Sequence, residues 1–218
     1  MNVEIWADIA CPWCYLGHHR FETALARFEH RDEVSVRLRS FELDPQAPRE
    51  GPDVASHLAA KFGMSREDAR ASQRRLTDIA AADGVEVRLD LAHVANTFDA
   101  HRLVHLGAEH GTGEAVADRL MRAYHAEGEA VGSAETLARL CAELGLPAEE
   151  VDEVLAGERY ASEVREDEQL AAALGIHAVP FFVVDRSLAA SGAQSPEVLG
   201  ELLRRAREAA PASADARP

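Results

Sequence analysis

Two cysteines separated by two residues, Cys11 and Cys14, follow a short apolar segment and constrain this chain more than any other feature. Residues Val3 to Ile9 have the length and apolar content of a buried strand. Pro12 suits the first position of a helix, because its fixed φ matches the helix and its missing N–H would have no partner there. The cysteine pair is therefore predicted to lie on a turn between a strand and a helix.

The residues after this turn predict a β-α-β order. Phe21, Leu25 and Phe28 recur at i, i+4 and i+7, which is the core-facing stripe of an amphipathic helix. The segment from Val34 to Leu38 alternates apolar and polar residues with the period of two expected of a strand. A proline-rich stretch at 44–52 then interrupts regular structure.

From residue 53 to residue 175 the pattern is helical almost throughout, and we interpret it as one inserted helical domain. Ser65 with Asp68, and Asn96 with Asp99, each place an acceptor at a helix N-cap and a carboxylate three residues later. Two apolar stripes at helical spacing follow, at Leu137, Leu140, Cys141 and Leu144 and at Val151, Val154 and Leu155.

Near the C-terminus the period changes again. Phe181 to Val184 is an apolar run of strand length, and Leu188 to Ser191 can pair beside it across a turn. Ser195 followed by Pro196 indicates the N-cap and first residue of a last helix. The tail at 211–218 lacks periodicity and is predicted to be disordered.

The three cysteines are predicted to behave differently. Cys11 is predicted to be an accessible nucleophile, because the free N–H groups and the macrodipole of a helix N-terminus favour a thiolate. Cys14, one turn later, is the predicted resolving thiol that releases substrate from a mixed disulfide on Cys11. A closed zinc site needs four ligands and the chain has no second Cys pair, so no metal is expected. Cys141 lies on a leucine stripe and is predicted to be buried and inert.

The dipeptide Val179-Pro180, just before the apolar strand at 181–184, is the second predicted element of the site. Proline can begin a strand, and X-Pro bonds are the usual place for cis peptides although trans is the common form. A cis bond would turn the backbone groups of Val179 outward, where they could pair with an extended substrate. The local pattern leaves the isomer open.

Three side chains near the cysteines each have two interpretations. Asp8 is either a buried carboxylate with a raised pKa that accepts the proton of Cys14, or a helix cap. His18 is expected to be a solvated helix residue rather than a zinc ligand or a group that tunes a thiol. Trp13 either presents an exposed ring to substrate or packs against the helical insertion.

The charge balance narrows the class of partner. The chain has 23 Lys and Arg against 38 Asp and Glu, a formal net charge of -15, which repels phosphate backbones and anionic lipid surfaces. Nucleic-acid and membrane partners are therefore not expected. Met1 leads directly into the first strand without a secretory signal, so we expect a cytoplasmic protein. The odd number of 3 cysteines does not indicate a disulfide framework.

Several sequence blocks in order resemble the DsbA-like oxidoreductases, in particular their FrnE-like cytoplasmic branch. The opening block runs from Asp8 to Gly17 and contains Cys-Pro-Trp-Cys. Further matching blocks lie at 41–45, 96–97, 100–103, 175–176, 179–182 and 191–194, so the resemblance spans about Val3 to Leu203. It implies an α/β thioredoxin fold with an inserted α-helical domain, dithiol-disulfide exchange, and a cis Val179-Pro180 bond facing Cys11.

On this basis we predict a discontinuous thioredoxin-fold domain at 1–50 and 176–210 around a helical domain at 51–175. The expected activity is that of a protein disulfide oxidoreductase or isomerase acting on protein or small-molecule thiols and disulfides, as a monomer or homodimer. No cofactor is expected, with glutathione a candidate co-substrate. The predicted substrate-binding residues are Pro12, Trp13, Val179 and Pro180.

His101 and Arg102 fall in one of the matching blocks and have two interpretations, as residues lining the substrate cleft or as polar residues of a helix surface. Kappa-class glutathione transferases and hydroxychromene-carboxylate isomerases share the implied architecture, so a glutathione-dependent enzyme is the alternative function. Those relatives typically carry serine at the first cysteine and an arginine after the late glycine block. Here Cys11 is present and the segment 192–195 has no arginine, which disfavours that alternative.

Overall fold

The computed structural model of the chain describes residues 1–209, and it contains a mixed four-stranded sheet of order β2-β1-β3-β4. The strands are β1 Asn2–Ala7, β2 Ser35–Ser40, β3 Phe181–Val184 and β4 Leu188–Ser191. β1 runs parallel to β2 and antiparallel to β3, and β3 is antiparallel to β4. The predicted strands are all present. The predicted disordered tail at 211–218 lies outside the described residues.

Helices connect and cover these strands. α1 links β1 to β2, seven helices separate β2 from β3, and a last helix follows β4. Their bounds are α1 Pro12–Ala26, α2 Val54–Phe62, α3 Arg66–Ala82, α4 Phe98–Glu109, α5 Gly113–Arg122, α6 Ala134–Glu143, α7 Ala148–Ala156, α8 Ala161–Ala173 and α9 Pro196–Ala209. Within the described residues no helix is long and apolar enough to cross a membrane.

Both faces of the sheet are covered. On one face α1 and α9 pack against the strands, with Phe21 stacked on Phe182 at a ring-centroid distance of 5.7 Å and Leu203 fully buried beside them. On the other face α8 packs on the sheet, where the Trp6 indole donates a hydrogen bond to the Asp167 carbonyl at 3.0 Å. A sheet buried on both sides explains why β1 and β3 are almost continuously apolar.

The helices between β2 and β3 share a core with the start of α1. Leu16 of α1 is buried in the same cluster as Leu103, Leu120, Leu137 and Val154 from four different helices. The helical segment is therefore anchored on the turn that carries the cysteines. The domain boundaries predicted at 51 and 175 remain predictions.

Residues 83–97 differ from the predicted helical pattern. Val85, Val87 and Leu89 are buried and alternate with exposed residues, but the segment forms neither helix nor strand. Its backbone is instead held by the Arg88 N–H, which donates to the His125 carbonyl at 2.6 Å. Apolar residues alternate with polar ones from Val85 to Leu89, and this alternation matches the observed burial of every second side chain. It outweighs helical propensity in this segment.

Of the two N-caps predicted within the segment 53–175, one is confirmed. The Ser65 side chain accepts a hydrogen bond from the Asp68 N–H and begins α3. The second prediction is wrong by one residue, since Thr97 and not Asn96 is the N-cap of α4. The Asn96 side chain accepts the Phe98 N–H at 3.0 Å, so it closes a turn just before the helix.

Candidate active site

Cys11 is the N-cap of α1. Its backbone is extended, with φ -90° and ψ 113°, and Pro12 occupies the start of the helix as predicted. The Cys11 carbonyl accepts the N–H groups of Cys14 and Tyr15 at 2.9 and 3.1 Å, which fixes Cys11 to the first turn. The expectation of an accessible residue is wrong, because Cys11 is only 4% exposed. It packs into the core cluster beside Ile9 and reaches the surface only through a cavity.

Cys14 lies one turn deeper and is 1% exposed. Burial, then the hydrogen bond to Cys11 and the charge of Cys11, raise the pKa of the Cys14 thiol well above its ordinary value. Cys14 is therefore protonated at neutral pH and within hydrogen-bonding reach of the Cys11 sulfur. Both residues are free thiols in this structure. A reactive sulfur and a protonated partner are what a nucleophile and its resolving thiol require.

The loop before β3 faces Cys11. The Cys11 thiol points at the Val179 carbonyl oxygen at 4.0 Å, and the Val179-Pro180 peptide bond is cis. The Pro180 carbonyl accepts the Gly192 N–H at 2.8 Å, which ties this loop to the end of β4. Gly17 allows α1 to approach the loop closely, since a Cβ built there would lie 2.8 Å from Pro180 Cγ. The structure thus brings Val179 and Pro180 to the cysteines.

Asp8 is buried beneath the cysteine turn, and its carboxylate is ionised. One carboxylate oxygen accepts the Leu43 N–H at 2.7 Å, and the other lies 3.5 Å from His101 Nε2. Burial alone would raise the pKa of Asp8, but the neighbouring His101 ring, with the Leu43 N–H and the Thr97 hydroxyl, lowers it below its ordinary value. The interpretation of Asp8 as a proton acceptor needs a raised pKa, and the shift is in the opposite direction.

His101 and Arg102 are neighbours in sequence with different surroundings. His101 is 4% exposed and contacts Asp8, so it lies under the active-site turn. Arg102 points elsewhere: it pairs with Asp99 at 2.9 Å and donates to the Arg159 and Gly157 carbonyls. Neither interpretation of Arg102 is correct, because it is neither in the cleft nor on the surface. It joins α4 to the loop between α7 and α8.

An apolar cavity of about 440 Å³ opens beside Cys11. Its wall includes Cys11, Trp13, Leu43, Leu58, Phe62 and Tyr124. Trp13 is 42% exposed, in agreement with the interpretation that it presents an exposed ring. Leu43 and Phe62 are also exposed at the mouth of the cavity. Large exposed apolar side chains around a concave site are typical of a binding surface.

His125 is part of the site and was missed by the sequence analysis. It is fully buried in the turn after α5, and its Nε2 lies 3.0 Å from the Ile9 carbonyl, two residues before Cys11. Burial lowers the pKa of His125 to about 3, so the ring is neutral and Nε2 carries the proton that Ile9 accepts. Its ring also stacks on Tyr15. No sequence signal marked it, because its partner Ile9 lies in the turn after β1, far away along the chain.

Two further predictions on isolated residues have opposite outcomes. Cys141 is 1% exposed among Leu137 and Leu140, and burial raises its pKa to about 11, in agreement with an inert core thiol. His18 was expected to be solvated, and this is wrong because it is only 2% exposed. Its position on α1 faces α5, which the sequence could not show.

A mixed sheet with helices on both faces, and a Cys-x-x-Cys turn at a helix start opposite a Val-Pro loop, together define the thioredoxin fold. The DSBA-like thioredoxin domain family matches residues 2–204, and the chain belongs to that family of oxidoreductases. A probable DsbA oxidoreductase from Streptomyces coelicolor, SCO1869, is 48% identical over 97% of this chain and 92% of that one, with a TM-score of 0.92.

More distant structures share the fold. The cytosolic disulfide reductase DsbM from Pseudomonas aeruginosa is 20% identical over 96% of this chain and all of its own, with a TM-score of 0.69, and was also solved with GSH. A 2-hydroxychromene-2-carboxylate isomerase is 14% identical over 97% of this chain, again with full coverage of that chain, at a TM-score of 0.68. The DsbA-like family predicted from the sequence is therefore confirmed, while its FrnE-like branch stays a prediction.

Proposed function

We propose that the chain is a thiol-disulfide oxidoreductase that exchanges disulfides through Cys11 and Cys14. The observation that carries this proposal is the pairing of a helix-capping Cys11 with a protonated Cys14 one turn below it and the Val179 carbonyl opposite. Membership of the DSBA-like family supports it. The proposed exchange uses only the two thiols of the chain.

The proposed reaction is a two-step transfer of two electrons. The Cys11 thiolate attacks a substrate disulfide, so one S–S bond forms to Cys11 and one substrate thiolate leaves. Cys14 then loses its proton and attacks the Cys11 sulfur, which releases the second substrate thiolate and leaves a Cys11–Cys14 disulfide. The substrate is reduced and the chain is oxidised; the reverse sequence oxidises a substrate dithiol.

The causes of the Cys14 pKa shift give the steps an order. Burial is the largest cause, and the hydrogen bond and charge of Cys11 come next. Cys14 therefore keeps its proton while Cys11 makes the first attack, and it acts as the nucleophile of the second step.

The apolar cavity favours substrates that carry an apolar side chain beside the reacting cysteine. Trp13, Leu43 and Phe62 are exposed at its mouth, next to Cys11. A glutathione-dependent reaction has weaker support. Arg20 of α1 lies against the 192–195 block, but it already pairs with Asp83 at 2.6 Å and donates to the Ala193 carbonyl, also at 2.6 Å.

We further propose that the protein works in the cytoplasm. The support is the fold shared with the cytosolic disulfide reductase of Pseudomonas aeruginosa. Fractionation of the host cells followed by immunodetection of this chain tests the location. Recovery in an exported fraction would contradict it.

Trapping tests the reaction itself. The Cys14→Ser variant should accumulate a mixed disulfide with a disulfide-containing peptide, detected by mass spectrometry under non-reducing conditions, because the resolving thiol is gone. The Cys11→Ser variant should accumulate none, and Cys141→Ala should turn over like the native chain. Undiminished turnover by Cys11→Ser would falsify the proposal.

Two peptides of equal charge test the substrate preference. One carries leucine next to the disulfide-bonded cysteine and the other carries serine. We expect the leucine peptide to react with the higher kcat/KM, and the advantage to shrink in a Phe62→Ser variant. Equal rates for the two peptides would contradict the role assigned to the cavity.

A further inference from the structure

A second cluster of polar side chains lies further along α1 and takes no part in disulfide exchange. His18 and Glu22, one turn apart on α1, face Asp118 of α5, and one ligand atom from each of the three lies within 4.8 Å of the others. His18 Nε2 is 3.5 Å from a Glu22 carboxylate oxygen. His19 lies at the edge of the cluster, with Nε2 3.7 Å from Asp118 Oδ1.

The buried atoms of this cluster lack hydrogen-bond partners. His18 is 2% exposed, and neither of its ring nitrogens has a partner among the described residues. Asp118 Oδ1 and His19 Nε2 are also buried without a hydrogen-bond partner among the described residues. Buried polar atoms are nearly always satisfied in proteins, and a neighbouring set of four needs a physical explanation. A bound cation explains one His18 nitrogen and Asp118 Oδ1 together, since it would accept one lone pair from the imidazole and one from the carboxylate.

We propose that His18, Glu22 and Asp118 form a binding site for a divalent transition-metal ion, with Zn²⁺ the best match. Imidazole and carboxylate are ligands that Zn²⁺ takes at about 2.0–2.2 Å, so two ligand atoms of a tetrahedral site lie about 3.4 Å apart. The 3.5 Å between His18 and Glu22 already meets this spacing. The Asp118 oxygen lies within 4.8 Å of the other two ligand atoms, and a rotation of its side chain would bring it into coordination range.

The charges at the cluster favour a cation. Glu22 and Asp118 place two carboxylates beside the buried ring of His18, with one ligand atom of each of the three within 4.8 Å of the others. His19 lies at the edge, 3.7 Å from Asp118. Two carboxylates this close repel each other, and a metal ion between them would remove the repulsion.

The site has a route to solvent. Glu22 and Asp118 line a cavity of about 950 Å³, together with Glu114. Three protein ligands leave one position of a tetrahedral ion open, and that position would face this cavity. The proposed ion would therefore connect α1 to α5 while remaining exchangeable. It is independent of the proposed disulfide exchange, because it uses neither cysteine.

Equilibrium dialysis against ZnCl₂, with the bound metal counted by mass spectrometry, tests the site. The full chain is used in its oxidised form with Cys141→Ala, because free thiolates would bind zinc themselves. We expect one Zn²⁺ per chain and a Tm that rises with zinc concentration. Glu22→Gln and Asp118→Asn should each weaken binding at least about tenfold, since ligand removal exceeds the effect of losing an outer-shell partner.

A matched variant separates this site from non-specific binding. Glu29→Gln removes an exposed carboxylate just beyond α1 that has no partner in the described structure, and it should bind zinc like the parent chain. Ca²⁺ should compete poorly, because imidazole favours transition metals. Zinc binding that is equal in Glu22→Gln, Asp118→Asn and Glu29→Gln, or absent from the parent chain, would overturn the proposal. Far-UV circular dichroism establishes that each variant is folded.

Discussion

Cys14 and Cys141 are buried to the same extent, 1% exposed each, in two regions with very different neighbours. Burial raises the pKa of both thiols. Cys14 has a second sulfur within reach and a helix N-terminus one turn away, whereas Cys141 in α6 is surrounded by leucines. Burial alone therefore makes a cysteine inert. Cys14 is equally buried, but it lies beside Cys11, which is open to a cavity, so it can resolve a mixed disulfide formed on Cys11.

Alkylation should show the largest difference between the two regions. In the native reduced protein at pH 7 we expect Cys11 to react with iodoacetamide at least about a hundredfold faster than Cys141. A thiol with a pKa of about 11 is only about 10⁻⁴ thiolate at that pH, and Cys141 is also enclosed. Pulsed labelling with peptide mass spectrometry measures both rates. In denaturant the rates should converge, and similar rates in the folded state would remove the distinction.

Asp8→Asn should destabilise the active-site region by about 2 kcal/mol at pH 7, the usual scale for a lost hydrogen bond to a charged group. The folded pKa of Asp8 lies below its ordinary 3.8. Its stabilising contribution is therefore present above the unfolded pKa and is lost as the pH falls through the folded pKa. Urea unfolding of the native chain and the variant should show curves that converge in acid.

The control for this effect lies in the other region. Asp152→Asn on α7 changes an exposed carboxylate near the Cys141 core, and we expect less than about 0.5 kcal/mol at either pH. A difference between native and Asp8→Asn chains that stays constant from pH 7 into acid would show that the Asp8 carboxylate is not held ionised by its neighbours.

Cys141→Ala should cost about 1 kcal/mol of stability, because it leaves a small cavity in a leucine-lined core. Disulfide-exchange activity should not change. Cys141→Ser should be less stable than Cys141→Ala, since its hydroxyl would be buried without a partner. Urea midpoints and peptide turnover give the two readouts, and a loss of turnover in folded Cys141→Ala would identify a third redox thiol.

Trp13→Ala should have the smallest effect, raising KM for a protein substrate by about threefold to tenfold through lost apolar contact. The alkylation rate of Cys11 should stay within about twofold, because Trp13 is 42% exposed and acts on substrate. Leu174→Ala removes an apolar residue that is 52% exposed and lies away from the active-site cavity, and it should leave KM unchanged. Equal changes in both variants would contradict the binding role of Trp13.

The parts of the fold that local chemistry determines could be predicted. Pro12 and Pro196 marked helix starts, and the alternation of 34–38 and the continuous apolar run of 181–184 marked strands. The segment 83–97 was misread because its alternating residues are buried in a core cluster built from several helices, α3 before it and others after it. His18 was misread for the same reason: the face of α1 that meets α5 depends on packing and not on local sequence.

The site divides in the same way. Cys11 and Cys14 are neighbours along the chain, so their contact follows from helix geometry. The contact of Asp8 with His101 joins a strand end to a helix many residues later, and only the fold brings them together. His101 and Arg102 show how far a matching sequence block can predict a site. Adjacent residues on a helix point in directions about 100° apart, so His101 reaches the site and Arg102 does not.

Gly17 has a consequence for how this sequence can vary. Hydrogen is the largest substituent that fits between α1 and Pro180, because a carbon there would lie 2.8 Å from the proline ring. Position 17 can accept a larger residue only if the Pro180 loop retreats, and that retreat would carry Val179 away from Cys11. Positions 17 and 180 are therefore expected to change together over evolutionary time. The gap between Cys11 and Val179, which admits a substrate disulfide, keeps its width because Gly17 has no side chain.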